Sequence, residues 1–257
     1  MRAELISIGD ELLSGRTLNT HGRDLGLHLF NIGIALERDT TVGDQPDQIC
    51  AAVDEALQRV PILFISGGLG PTTDDITLET LSTYFNQSII EDQDTVNHLN
   101  DWYKKRGRTL NTHGQKQANV LEHAHVIQNP IGAAPAQQLT LPHQQLCFLL
   151  PGPPKEFNAL LTHSILPTLR TLYTQAKPKE VRTIHTKGIG ESDLIATLEQ
   201  GQFHLPSPIT AGYYPGEGQV EIRLSADPDD KALLETTHYE LQQLFSEFLA
   251  LVDAPDD

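Results

Sequence analysis

The chain has 257 residues, 39% of them hydrophobic and 20% charged, which suits one large globular domain or a medium one with a smaller companion and excludes a disordered or collagen-like polymer. Its formal charge of −16, from 34 Asp and Glu against 18 Lys and Arg, lacks the basic footprint of a nucleic-acid binder, so no nucleic-acid partner is expected. No stretch approaches the roughly 20 apolar residues of a membrane span and the first residues carry no secretory pattern, so the expectation is a cytoplasmic protein without a membrane partner.

In chain order, Glu4–Ile8 reads as a strand closed by Gly9. A helix follows from about Asn19 to Ile32, with Leu25, Leu29 and Ile32 at helical spacing and Gly33 as its stop. Ile34 to Val42 reads as a strand, and Pro46 opens a helix whose buried stripe is Ile49, Val53, Leu57 and Val60. Ile62–Ile65 is the third strand. Alternation of this kind predicts a parallel sheet with helices on both faces. Two helices follow, one ending near Phe85 and one from about Asp92 to Arg106, then a polar stretch with short strands near His125–Ile127 and Gln138–Leu141. Leu146–Leu150 is another buried strand, and Pro153 and Pro154 suit the first turn of a helix reaching Leu161.

Lys177–Glu180 (KPKE) reads as a linker, dividing residues 1–176 from residues 177–257. Beyond it come a strand at Val181–Thr186, a helix at Ser192–Glu199, strands at Ile209–Tyr214 and Gln219–Ala226, and a last helix from about Asp229. That is a small α+β unit of βαββα order. The two cysteines, Cys50 and Cys147, lie in apolar contexts and read as reduced core residues.

In an open α/β sheet the ligand sits beyond the carboxyl ends of the strands. Four segments leave strands there: GDELLSG at Gly9–Gly15, VGD at Val42–Asp44, GGLGPTTDD at Gly67–Asp75 and PGPPKE at Pro151–Glu156. Each brings a glycine and at least one carboxylate. The third lacks the Gly-Lys-Ser/Thr of a phosphate loop, leaving backbone amides and the hydroxyls of Thr72 and Thr73 as anion donors. Asp74 and Asp75 would repel a phosphate, and a hard divalent cation between them would resolve the conflict. The loop therefore predicts a metal–phosphate pair. Singly the residues read otherwise too: Asp75 as the cap of a helix starting near Ile76 with Glu79 in its first turn, Asp44 as the cap before Pro46. His21 and His113, from two copies of LNTHG, could meet as acid–base groups or metal ligands, or be surface loop residues.

Taken together, GDELLSG, TTVGD, SGGLGPTTDD and PGPPKE, in this order, resemble the MoaB/Mog-type, molybdopterin-binding-like domain of the CinA family over residues 1 to about 170. KGIGESDLIATLE and VEIRLSA resemble the KH-like domain that follows it. The resemblance implies a three-layer α/β/α fold with a mostly parallel sheet, a homodimer, and a metal-dependent pyrophosphatase acting on ADP-ribose or a related nucleotide to give AMP and a sugar phosphate. The nicotinamide-nucleotide amidase of longer members is expected to be absent. On this reading Gly9, Glu11, Asn19, His21, Gly67, Gly68, Gly70, Thr72, Gly152 and Lys155 hold the nucleotide. Asp10, Asp74 and Asp75 hold a divalent ion (Mg²⁺, Mn²⁺ or Co²⁺, with K⁺), and Asp44, Asp75, Glu79 and Glu156 serve catalysis. The alternative is a non-catalytic binding module for a molybdopterin or a nucleotide. The chain departs from the family pattern at His21, where an asparagine is expected, at Thr73, where a lysine is common, and through Asn111–Ala118. The loop Lys187–Glu191 has too little positive charge for the phosphate clamp of a KH domain.

Overall fold

The computed structural model describes residues 1–250 and divides the chain into two compact units, one ending at Ala176 and one beginning at Lys177. In the first, β1 (Arg2–Ile8), α1 (Asp10–Leu13), α2 (His21–Phe30), β2 (Ala35–Val42), α3 (Pro46–Leu57) and β3 (Ile62–Ser66) follow one another. Then come α4 (Thr77–Phe85), β4 (Ile89–Glu91), α5 (Gln93–Lys104), α6 (Thr112–Gln115), β5 (Asn119–Leu121), β6 (His125–Ile127), β7 (Ala136–Thr140) and β8 (Leu146–Leu150). The unit closes with α7 (Pro154–Leu160) and α8 (Leu166–Leu172), joined by a π-helical turn at Leu161–Ile165.

Six strands form one sheet in the order β2-β1-β3-β8-β7-β6, and β2, β1, β3 and β8 run parallel. Within this sheet only β7 runs against the others; β6, antiparallel to β7, points the same way as the four parallel strands. Alternate residues of each parallel strand face opposite layers, the period-two rule of a strand. Leu5, Phe64 and Phe148 pack under Leu25, Leu29, Phe157 and Leu169 of α2, α7 and α8. Ile6, Leu63, Ile65, Cys147 and Leu149 pack under Ile49 and Val53 of α3 and Leu81 of α4. Both faces are therefore apolar, as helix-covered parallel strands require, and the architecture is α/β/α in three layers.

At the amino edge of the sheet, Glu4 is buried and held by both arms of Arg59, Nε donating to Oε1 and Nη2 to Oε2 at 2.8 Å each. This bidentate pair keeps a buried carboxylate compensated. It leaves the carboxyl edge, where β1, β3 and β8 end, as the open side of the sheet.

The structure adds elements that the sequence pattern hid. The residues after Gly9 make a helical turn, β4 pairs antiparallel with β5, and the helix opened by Pro154 continues past Leu161 to Leu172. Asp75 and Asp44 do not cap the helices that follow them. Ile76 and Gln45 occupy the N-cap positions, and both carboxylates are turned elsewhere.

The second unit consists of β9 (Glu180–Lys187), α9 (Glu191–Gln200), β10 (Thr210–Gly216), β11 (Gln219–Ala226) and α10 (Lys231–Leu244). Its antiparallel sheet has the order β10-β11-β9. Ile184, Ile222 and Leu224 pack there on Leu194, Leu234, Leu241 and Phe245.

Candidate functional site

The sheet ends in a polar rim. Ser7 of β1 lies opposite Thr41 of β2 and Ser66 of β3, and the Ser66 hydroxyl donates to the Pro151 carbonyl at 3.2 Å. Beyond this rim opens a cavity of about 540 Å³, walled by the loops after β1, β2, β3 and β8 and by the start of α2. Its volume is that of a small-molecule site, and its position is the one predicted for an open α/β sheet.

The glycine loop explains its own composition. Gly67 has φ +106° and Gly68 φ +65°, values that L side chains rarely adopt. A Cβ on Gly67 would lie 2.1 Å from the Ile8 carbonyl oxygen, so β1 and β3 close on each other only because this residue has no side chain. The Gly67 amide donates to Leu150 O at 3.1 Å, tying the loop to β8 as well.

Asp75 is the organiser of the loop rather than a group presented to solvent. Its Oδ1 accepts from the Gly70 amide at 2.8 Å, and its Oδ2 accepts from the Thr72 amide at 2.8 Å and from the Thr72 hydroxyl. Asp10 and Asp44 are tied by reciprocal bonds. The Asp10 amide donates to Asp44 Oδ2 at 2.9 Å, and the Asp44 amide donates to Asp10 Oδ1 at 3.2 Å. Burial pushes the Asp44 carboxyl above the usual carboxylate range, and the charges of Asp10, Glu11 and Asp74 push the same way against the Asp10 amide.

On the opposite wall stands Glu156, in the first turn of α7, half-buried, with its acidity weakened chiefly by that burial. Asn129 Nδ2 donates to Glu156 Oε2 at 2.7 Å, and Asn129 itself is fixed by the Ala134 carbonyl and by the amides of Ile131 and Gly132. Asn129 was not among the residues singled out from the sequence. Its signal was the turn pattern Asn-Pro-Ile-Gly, in which an asparagine bonds the backbone just ahead of it.

Of the residues singled out, the cavity gathers Gly9, Glu11, Asn19 and His21 from the β1 side and Asp44 from β2. It also gathers Gly67, Gly68, Gly70, Asp74 and Asp75 from the loop after β3, and Gly152 and Glu156 from the segment after β8. Asp10 does not line it. Thr72 and Glu79 line a separate recess of about 30 Å³ behind the loop, and Lys155 is exposed on α7. His113 sits on the exposed side of α6 and does not meet His21. Gln117 and Ala134 complete the wall from a region whose sequence is irregular.

The residues present do not form a ready-made metal centre: among the described residues no three His, Cys, Asp or Glu side chains gather as a cluster able to hold an ion. Asp75, expected as a ligand, has both oxygens engaged by its own loop. Nor is any helix among the described residues long and apolar enough to cross a membrane.

Comparison with known proteins places this geometry. Residues 4–171 match the family described as "Probable molybdopterin binding domain", and residues 181–250 match the damage-inducible protein CinA KH domain. A CinA-like protein of Kosmotoga olearia is 35% identical over 235 residues, which are 91% of this chain and 56% of that protein. A CinA-like protein of Rippkaea orientalis is 34% identical over 252 residues, 95% of this chain and 59% of that protein. The chain thus spans less than two thirds of the relatives it matches. Among solved structures, the protein CinA from Thermoplasma acidophilum superposes with a TM-score of 0.58 at 32% identity, covering 66% of this chain and 98% of that one. The fold of the first unit is therefore of the MoaB/Mog kind. These matches correct the expectation of a metal-dependent ADP-ribose pyrophosphatase. The family matched over residues 4–171 is described as a probable molybdopterin binding domain, and the relatives named above are described as CinA-like proteins, not as diphosphate hydrolases. The relationship is compatible with enzymatic chemistry without naming a reaction.

Proposed function

We propose, from the premise that the chain belongs to the CinA-like family of proteins with a MoaB/Mog-type domain and a CinA KH domain, that its first unit binds a phosphate-bearing pterin of the molybdopterin type or a nucleotide of similar size. The observation that carries this reading is the lining of the cavity: close-approach glycines on one wall and carboxylates on the others. A pterin ring presents an amino group beside a ring N–H, the guanidine-like edge that a carboxylate accepts through two parallel hydrogen bonds. Glu156, half-buried and aimed by Asn129, is the carboxylate best prepared for that edge. Adenine offers one amino group among acceptors, a poorer match to the same wall, and this favours the pterin. The missing Cβ atoms of Gly67 and Gly68 let the loop fold tightly against Ile8 and Thr77, and its backbone forms that wall of the cavity.

The test is calorimetric titration of the whole chain with a pterin bearing a side-chain phosphate and with AMP, with and without a chelator. The reading predicts one saturable site per chain, tighter for the pterin, and undiminished by chelation. Absence of binding by both ligands to folded protein would remove it.

A further inference from the structure

The side chain of His21 is the most unusual polar group of the cavity. It is only 5% exposed, and neither ring nitrogen has a partner in hydrogen-bonding geometry, although the backbone of Gly152 lies near enough to favour the charged ring. A buried imidazole with both nitrogens unmet is costly, because buried polar groups are nearly always satisfied. The ring is nevertheless held in place, stacked on Phe157 with centroids 4.3 Å apart and planes 19° from parallel. It also lines the cavity.

Three further facts say what it is kept for. His21 opens α2, a helix of ten residues, and no side chain of the N-cap Thr20 closes that end; the Asn19 Oδ1 takes the His21 amide alone, at 3.1 Å. The N-terminal turn of a helix favours an anion. Among the described residues the charged groups around the cavity are all acidic (Glu11, Asp44, Asp74, Asp75 and Glu156), which makes His21 the one described lining side chain able to carry positive charge. Lys116 reaches only the recess behind the glycine loop, whose 30 Å³ is the space of about one water. Finally, three of the amides expected to cradle a phosphate are already engaged, those of Gly70 and Thr72 by Asp75 and that of Gly67 by Leu150.

We propose that His21 and the first turn of α2 form the subsite for the phosphate ester of the ligand, the imidazole donating an N–H to a phosphate oxygen. This inference rests on the reading that the cavity binds a phosphate-bearing pterin or nucleotide, and it fixes the ligand's orientation: phosphate toward α2, ring toward Glu156. The neutral ring that burial favours already has the N–H required, so no proton need be taken up from solvent.

The test pairs ligands that differ only in the phosphate: AMP with adenosine, and a pterin phosphate with the same pterin lacking it. They are titrated into the wild type, into His21→Phe, which keeps a ring against Phe157 but has no nitrogen, and into His21→Asn, which returns a donor. The imidazole nitrogens of the wild type are followed by NMR in parallel. The proposal predicts that His21→Phe loses about tenfold in affinity for the phosphorylated ligands and little for the others. It predicts partial recovery in His21→Asn, and movement of the His21 resonances only when the ligand, or inorganic phosphate, carries a phosphoryl group. Should Gly68 and Gly70 amides move on binding while the imidazole stays still, or His21→Phe bind AMP as tightly as wild type, the phosphate subsite is wrong and the binding cavity stands. If His21→Phe does not fold, the wild-type imidazole shifts and His21→Asn decide. Binding of no ligand at all by the wild type overturns both readings.

Discussion

Asp75 Oδ1 lies 2.8 Å from the Gly70 amide that it receives as a donor, five residues back along the chain, and this bond shapes the edge of the cavity. With Oδ2 taking the Thr72 amide, one carboxylate satisfies a turn that has no secondary-structure partner of its own.

Asp75→Ala therefore releases two amides and a hydroxyl at once. Hydrogen exchange at Gly70 and Thr72 should accelerate by about ten- to a hundredfold, corresponding to the ~1.5–3 kcal/mol of hydrogen bonds to a charged acceptor. Exchange in the strands β1 and β3 should change little. An unchanged rate at Gly70 would show that the loop is held by other means.

Gly67→Ala tests the close approach of β1 and β3. The substitution meets the Ile8 carbonyl at 2.1 Å and a left-handed backbone, so it should cost at least ~1–2 kcal/mol and abolish ligand binding. Gly107→Ala is the control, because that glycine has φ +67° with nothing within 4 Å of the added carbon. It should carry the backbone strain alone and bind ligand normally. Equal losses in the two variants would deny Gly67 its special role.

Two buried titrating groups make opposite contributions to the pH dependence of stability. Burial lowers the His21 pKa from 6.5, while the backbone at Gly152 and the charge of Asp24 oppose it. The unfolded chain then binds the proton first, and stability is lost as pH falls below about 6.5. His21→Phe should remove that loss, and denaturant titrations between pH 5 and 7 should show a shallower slope for the variant.

Glu156 acts in the other direction. Its pKa is raised from 4.5, mainly by burial, with the Asn129 hydrogen bond and the charge of Arg106 pulling back. The folded state keeps the proton longer than the unfolded one, so stability declines as pH rises through the range above 4.5. Glu156→Gln keeps an acceptor for Asn129 and carries no charge. It should match the wild type at pH 4 and exceed it at pH 7, while weakening the binding of a pterin by removing the carboxylate.

Much of the framework was readable in advance because the signals are local. The buried runs at Ile62–Ser66 and Leu146–Leu150, the helix opened by Pro46 and the stop after Ile32 rest on period, proline and glycine, all of which act within a few residues. The four loops at the carboxyl edge were legible for the same reason. What was not legible depends on the path of a loop or on distant partners. Asp75 and Asp44 have the spacing of helix caps, yet Asp75 was drawn back onto the amides of Gly70 and Thr72 by the turn of its own loop, and Asp44 onto the amide of Asp10, 34 residues away. The strands β4 and β5 are three residues each and exist only because they pair. Asn129 gains its part from a chain reversal 27 residues ahead of Glu156, and the orphaned nitrogens of His21 are a property of packing alone.

The central claim is that the carboxyl-edge cavity of the first unit is where ligand binds, and the most direct measurement is hydrogen exchange across the whole chain with and without a saturating pterin phosphate. The account predicts protection confined to the loops after β1, β3 and β8 and to the first turn of α2, with residues 177–250 unchanged. Protection absent from those loops, or concentrated in the second unit, would contradict it.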